Sequence, residues 1–312
     1  MISFEDIRGS FKGRIEIGEQ MARHVTFRIG GPADLYLEPV DKEDAVSLFR
    51  FLHDTGTRYV LIGNGSNVLV ADEGIRDVVV NLESGFNHMR VNDGEIVAGA
   101  GVKLAKLVDF IIANGFGGAE MLAGIPGTLG GGIIMNAGAY GGEIADHLTR
   151  VEVIRNGRMV KLTKEEGGFG YRTSALTNDI VLEAAFRFPE GLAEPLKKRR
   201  RELLVKRNSA QPVNWPNAGS IFKNPPGDFA ARLIEACGLK GRRVGGAQIS
   251  DLHANFIINA EDATAEDVLQ LIEIAQKEVH AAFDVKLELE IKPMGIAPER
   301  LERVGWGLGT GD

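Results

Sequence analysis

The chain has 312 residues, of which 44% are hydrophobic and 25% charged, enough for about two globular domains with their own cores. Its net charge of -7 excludes a global basic field of the kind that gathers nucleic acid, so an anionic ligand must be met locally. The single cysteine, Cys237 in "LIEACGL", excludes an internal disulfide framework and a thiolate metal cluster, and reads as a buried structural thiol.

The amino terminus "MISFEDIRGSFKG" has no apolar signal region, and no run reaches the ~18 apolar residues of a membrane span. A cytoplasmic protein with no membrane partner is expected. "KEDAVSLFRFLHDTG" from Lys42 to Gly56 has helical apolar spacing, and "YVLIG" and "DVVVNL" are strands. "EIVAGAGV" is a further strand, followed by the helix "KLAKLVDFIIANG", which Gly115 closes. "LTRVEVIRNGRMVKLT" reads as a hairpin turned at Asn156-Gly157, a pair that tolerates positive φ, and "DIVLEAAFRF" as another strand.

From Glu190 the pattern changes to the helix "AEPLKKRRRELLVKRN" and then to "SAQPVNWPN", a linker. The basic run Lys197–Leu203 reads as a solvated helix face. A second region contains a helix at "DFAARLIEACG", a strand at "HANFIIN" and a long helix from Thr264, with Thr264 and Asp267 in capping-box spacing. "VKLELEI" reads as a strand with Lys286, Glu288 and Glu290 on one face. The tail "GWGLGTGD" reads as disordered.

Two glycine loops stand out. "GNGSNV" from Gly63 mimics a dinucleotide fingerprint, with Glu83 about twenty residues on, but Val68 replaces the third glycine and no helical period follows. The loop reads instead as a nest of free N–H groups for a pyrophosphate, with Ser66 and Asn67 as side-chain donors. "GIPGTLGGGIIMNAGAYGG" from Gly124 to Gly142 lets bare main chain lie flat against a planar ligand. Together the loops point to a nucleotide-type cofactor.

"TFRIGGPA", "GNGSNVLV", "GIPGTLGGGIIMNAGAYGGEI", "YRTS", "NAGSIFKNP" and "LELEI" occur in the order of the UDP-N-acetylenolpyruvoylglucosamine reductase family, which the chain resembles from about Phe27 to Gly295. The resemblance implies an α+β fold: a two-lobed FAD-binding domain of the vanillyl-alcohol-oxidase type, then a smaller α+β substrate-binding domain. The boundaries expected are 1–204 for the first domain, with lobes at about 1–75 and 76–204, 205–300 for the second, and 301–312 for a flexible tail. The family uses non-covalent FAD and NADPH to reduce the enolpyruvyl ether of UDP-N-acetylglucosamine enolpyruvate to UDP-N-acetylmuramate, in peptidoglycan synthesis. The chain lacks a long insertion after "YRTSAL" and has "HANFI" where one branch has glutamine, so it resembles the shorter second type.

By the same resemblance, Gly63, Asn64, Gly65, Ser66 and Asn67 hold the FAD pyrophosphate. Gly124, Ile125, Pro126, Gly127, Gly130, Gly131 and Asn136 pack by the flavin. Arg172 faces the substrate carboxylate, where a planar guanidinium suits bidentate contact. Ser220 donates a proton to the carbanion-like carbon, and Glu290 assists, with Glu288 the rival assignment. Lys223, Asn224, Arg207 and His253 are substrate-binding candidates, with Lys206 beside them. From the residues alone, Arg172 also reads as a surface strand arginine, "NAGS" as a turn or cap, and Glu290 as solvent-facing. The histidines 24, 53, 88, 147 and 280 show no ligand spacing, so no metal is expected. Two rivals remain, an FAD oxidase with tethered flavin and a nucleotide-binding regulatory module. The sequence does not set the oligomeric state.

Overall fold

The computed structural model describes residues 7, 9 and 11–306. The chain divides into two compact units, one of residues 1–17, 35–64 and 77–207, the other of residues 18–34, 65–76 and 208–312. The second unit thus takes in two short N-terminal segments that a linear division at 75 and 204 assigns elsewhere.

In the first unit, the helix Lys42–Asp54 starts where Asp41 accepts the Asp44 amide at 2.8 Å, satisfying one of the orphan donors of a first turn. Tyr59–Ile62 runs parallel to Ile75–Asn81, with Tyr59 opposite Val78. A five-stranded antiparallel sheet has the order Arg158–Thr163, Leu148–Arg155, Ile180–Phe186, Glu95–Gly99, Met89–Asn92. The hairpin forms as expected: Arg155 pairs with Arg158 across Asn156 and Gly157, whose φ values are 49° and 69°. The helix Leu104–Ala113 buries Leu104, Leu107, Val108, Ile111 and Ile112 in the core of this unit. The basic helix Ala193–Ala210 has no fully buried residue.

In the second unit, a four-stranded antiparallel sheet has the order Asn217–Ser220, Phe256–Asn259, Ala247–Ile249, Arg243–Val244. The helix Ala265–Phe283 opens on a complete capping box between Thr264 and Asp267 and lines the core with Val268, Leu271, Ile272 and Ala275. Cys237 is half-buried rather than fully buried, at the end of the helix Ala230–Ala236.

Two further expectations change. Val285–Ile291 is not a strand; its one bridge joins Leu289 to Phe222, and the strand lies at Lys292–Met294, parallel to Val68–Val70. The Glu290 and Ile291 amides both reach the Ile221 carbonyl, at 2.8 and 3.4 Å, so no even ladder can propagate. The alternation of faces survives: Leu287, Leu289 and Ile291 are buried, Lys286 and Glu288 exposed, and Glu290 half-buried. Beyond it, Pro298–Arg303 forms a helix that periodicity did not announce. Residues 307–312 of the glycine-rich tail lie outside the described residues.

Candidate active site

Gly63 of the first glycine loop meets Thr128 of the second within the first unit, while Gly65, Ser66 and Asn67 belong to the second unit. A Cβ added at Gly63 would lie 2.2 Å from Thr128 Oγ1, so this turn approaches the second loop closer than any side chain permits. Thr128 precedes the short helix Leu129–Ile134, so "LGGGII" is helical where a flat main chain was expected. Leu129 and Gly130 donate to the Val102 and Ala100 carbonyls at 2.8 Å each, and the Gly127 carbonyl accepts the Leu104 amide at 3.0 Å. Gly131 is exposed, and a Cβ there would meet nothing nearer than Thr128 Oγ1 at 3.8 Å. Its bareness serves no packing need inside the protein. Pro126 is exposed, and Gly124 and Ile125 half-buried. After "GNGSN", Val68–Val70 is a strand, so no helix follows the loop, in keeping with rejection of the dinucleotide fingerprint.

Asn136 is buried at φ 43°. Its amide donates to Glu143 at 2.6 Å and to the Gly170 carbonyl at 3.0 Å, and its oxygen accepts the Ala145 amide at 3.4 Å. The side chain is therefore occupied in holding the loop. Arg172 is not in a strand; it sits at the tip of a tight turn closed by reciprocal Gly170 and Thr173 bonds, at φ 56°. Its guanidinium lies over the Tyr171 ring at 5.1 Å and donates to the Gly138 carbonyl at 3.0 Å. Asn136 and Arg172 thus tie one turn to one loop. The Arg207 stem packs over Gly124, where a Cβ would meet Arg207 Cδ at 2.9 Å, and burial lowers its pKa. Lys206 lies over the Tyr140 ring at 5.3 Å.

The second unit gathers Ser220, Glu290, Ser66 and Asn67. Ser220 ends its strand after a register shift against Phe256–Asn259, with Gly219 at φ 77°; such a bulge re-aims the next side chain. Asn217 Oδ1 fixes it by accepting the Gly219 amide at 2.9 Å. The Ile221 carbonyl accepts the Glu290 amide at 2.8 Å. Asn67 Nδ2 donates to the Glu290 carbonyl at 3.1 Å, and the Asn67 carbonyl accepts the Lys292 amide at 2.9 Å. A Cβ on Gly219 would come 3.8 Å from the Ser66 carbonyl. Gly65 is buried, its carbonyl accepting the Thr26 amide at 3.1 Å.

Lys223 pairs with Glu288 at 3.3 Å, and the Asn224 oxygen accepts the Ala230 amide at 3.1 Å. His253 packs edge-on to Phe256 at 4.8 Å, and burial pushes its imidazole below the ordinary value. Sequence reasoning missed Asn255, which is buried and both accepts from the Phe222 amide at 2.9 Å and donates to its carbonyl at 2.8 Å. An amide inside the otherwise apolar run "ANFII" is the signal, since a buried amide must be satisfied. Among the described residues no helix is long and apolar enough to cross a membrane.

Two family models match the chain: an FAD binding domain over residues 33–163 and the C-terminal domain of UDP-N-acetylenolpyruvoylglucosamine reductase over residues 211–294. Similar proteins named UDP-N-acetylenolpyruvoylglucosamine reductase occur in Chloroherpeton thalassium, 46% identical over 97% of this chain and 100% of the relative, and in Halalkalibacterium halodurans, 42% identical over 93% and 98%. The crystal structure of UDP-N-acetylenolpyruvylglucosamine reductase from Thermus caldophilus is similar at a TM-score of 0.79 and 38% identity, covering 90% of this chain and 99% of that one.

Proposed function

The chain belongs to the UDP-N-acetylenolpyruvoylglucosamine reductase family, and on that premise we propose that it reduces the enolpyruvyl ether of UDP-N-acetylglucosamine enolpyruvate to UDP-N-acetylmuramate with NADPH, a step of peptidoglycan precursor synthesis. It is an oxidoreductase with an FAD-binding domain. The observation that carries the proposed chemistry is the main-chain link from Ile221 to Glu290 at 2.8 Å, which sets the residue after Ser220 against Glu290.

The residues fit FAD. Gly63 beside Thr128, and Gly124, Gly127 and Gly131 in the second loop, carry no side chain, and Gly131 is open where a side chain would intrude. Neither loop contains His or Cys, so the flavin is held without a covalent tether. When bound, FAD supplies the relay of hydride from NADPH to the enolpyruvyl carbon.

The chain's own groups manage charge and the proton. Arg172 presents a planar guanidinium to the substrate carboxylate, and its left-handed backbone is the kind of strain retained where a turn serves a function. Ser220 Oγ gives its proton to the carbon beside that carboxylate, a centre basic enough to take it from a hydroxyl. Glu290 orients that hydroxyl, directly or through water. Lys223, Asn224, Arg207 and His253 hold the remainder of the nucleotide sugar.

The test is the visible spectrum of the purified protein. Bleaching by NADPH and recovery on adding the enolpyruvyl UDP-sugar are expected; a reduced flavin that this substrate fails to reoxidise refutes the reading.

A further inference from the structure

Trp306 lies beyond residue 294, where the C-terminal family match ends, yet it is firmly held. Val304 is buried in the core of the second unit, and Gln276 donates to its carbonyl at 2.8 Å. Arg300 pairs with Glu73, and Arg303 with Glu266 and Glu273, each at 2.9 to 3.0 Å. The Trp306 amide closes the segment onto the Leu301 carbonyl at 3.0 Å.

This anchoring sets the indole ring 5.3 Å from the Lys292 ammonium. Lys292 is fixed at its main chain by Asn67 and by its parallel register with Val68. Among the described residues no carboxylate lies within ion-pair distance of its ammonium, whereas Lys223 has Glu288. Burial lowers the Lys292 pKa first and repulsion from Lys223 second, with attraction by Glu290 the smaller opposing effect. The segments that carry the two lysines are paired, the Lys223 amide donating to the Glu288 carbonyl at 2.9 Å and the Glu290 amide to the Ile221 carbonyl at 2.8 Å, and the Lys292 ammonium rests on an aromatic face.

We propose that Lys292, positioned by the Trp306 ring, forms with Lys223 a phosphate-binding pair in this enzyme. The inference deepens the functional reading above and rests on it. A lysine binds phosphate as a compact point charge, and a doubly charged group answers the repulsion between the lysines. The shared chemistry is a nucleotide phosphate, from the UDP-sugar or from the nicotinamide dinucleotide. Trp306 is the positioning residue: its ring packs against the core of the second unit and faces the Lys292 ammonium.

The test uses the flavin-loaded protein and three probes, UDP, uridine and NADP+, titrated by the change in the flavin spectrum. Lys292→Met is expected to weaken UDP or NADP+ by about tenfold or more while leaving uridine within about twofold, as loss of a charged hydrogen-bond donor predicts. Lys292→Arg restores binding to within about threefold, and Trp306→Leu weakens the same probe about threefold. Which phosphate probe responds identifies the source. Equal weakening of UDP and uridine assigns Lys292 to structure and overturns the proposal. If the wild type binds both phosphate probes and Lys292→Met changes neither, the pair alone is refuted. A wild type that binds neither overturns the pair and the functional reading together.

Discussion

Glu290 donates its main-chain amide to the Ile221 carbonyl at 2.8 Å, so the chain leaving Ser220 and the chain carrying Glu290 cannot move independently. The bond fixes main chain and leaves both side chains to chemistry. Ser220→Ala is therefore expected to keep the fold and the rate of flavin reduction by NADPH, while reoxidation by the enolpyruvyl UDP-sugar slows by ~10² or more, the usual effect of losing a positioned acid. Stopped-flow measurement of the two half-reactions checks it, and equal loss in both contradicts the role.

Asn255 controls the same segment from the other side. Its side chain satisfies both the amide and the carbonyl of Phe222, and its own carbonyl accepts the Ile221 amide at 2.9 Å. Asn255→Leu keeps the volume but leaves two buried Phe222 groups unpaired, a destabilisation of about 2 to 4 kcal/mol. Denaturant unfolding followed by tryptophan fluorescence measures it directly, because Trp215 and Trp306 both lie in this unit.

These contacts mark what a sequence makes legible. The Asn156-Gly157 hairpin and the Thr264–Asp267 capping box are local: residues two or three apart decide them, and both formed as read. "VKLELEI" failed as a strand because its partner decides the ladder, and that partner offers one carbonyl to two amides. The faces were still readable, since burial follows the alternation whether or not the ladder closes. Recruitment of residues 18–34 and 65–76 to the second unit depends on long-range pairings with no local signature. The motifs Gly63–Asn67 and Asn217–Pro225 were legible as clusters of unusual residues. Asn255 stood out as an amide in an apolar run, but its partner Phe222 and the contact of Trp306 with Lys292 were not legible, because each acts on a neighbour that only the fold supplies.

His253 gives the second unit a pH dependence of known sign. Burial holds its folded pKa below the unfolded value of about 6.5, so the unfolded chain binds the extra proton first as pH falls. The contribution is complete above about pH 6.5 and declines as pH drops toward the folded value. His253→Gln is expected to show a smaller fall in Tm between about pH 7.5 and about pH 5.5 than the wild type, since the remaining carboxylates titrate mainly below that window. An unchanged fall assigns the acid sensitivity to other groups.

Gly131 separates the demands of the fold from those of the cofactor. It sits inside the helix Leu129–Ile134, and an added Cβ meets nothing nearer than 3.8 Å. For the protein alone, alanine is the better residue there, by up to ~1 kcal/mol of helix propensity. Gly131→Ala is therefore expected to leave the Tm of the flavin-free protein unchanged or slightly raised, while FAD affinity falls by about tenfold, the magnitude of one clashing methyl. Gly63→Ala behaves differently, because its methyl would strike Thr128 Oγ1 at 2.2 Å and must disturb the flavin-free fold as well. Thermal unfolding of both apoproteins, with FAD titration by flavin fluorescence, distinguishes the two. Undiminished FAD affinity in Gly131→Ala would place the flavin away from this helix.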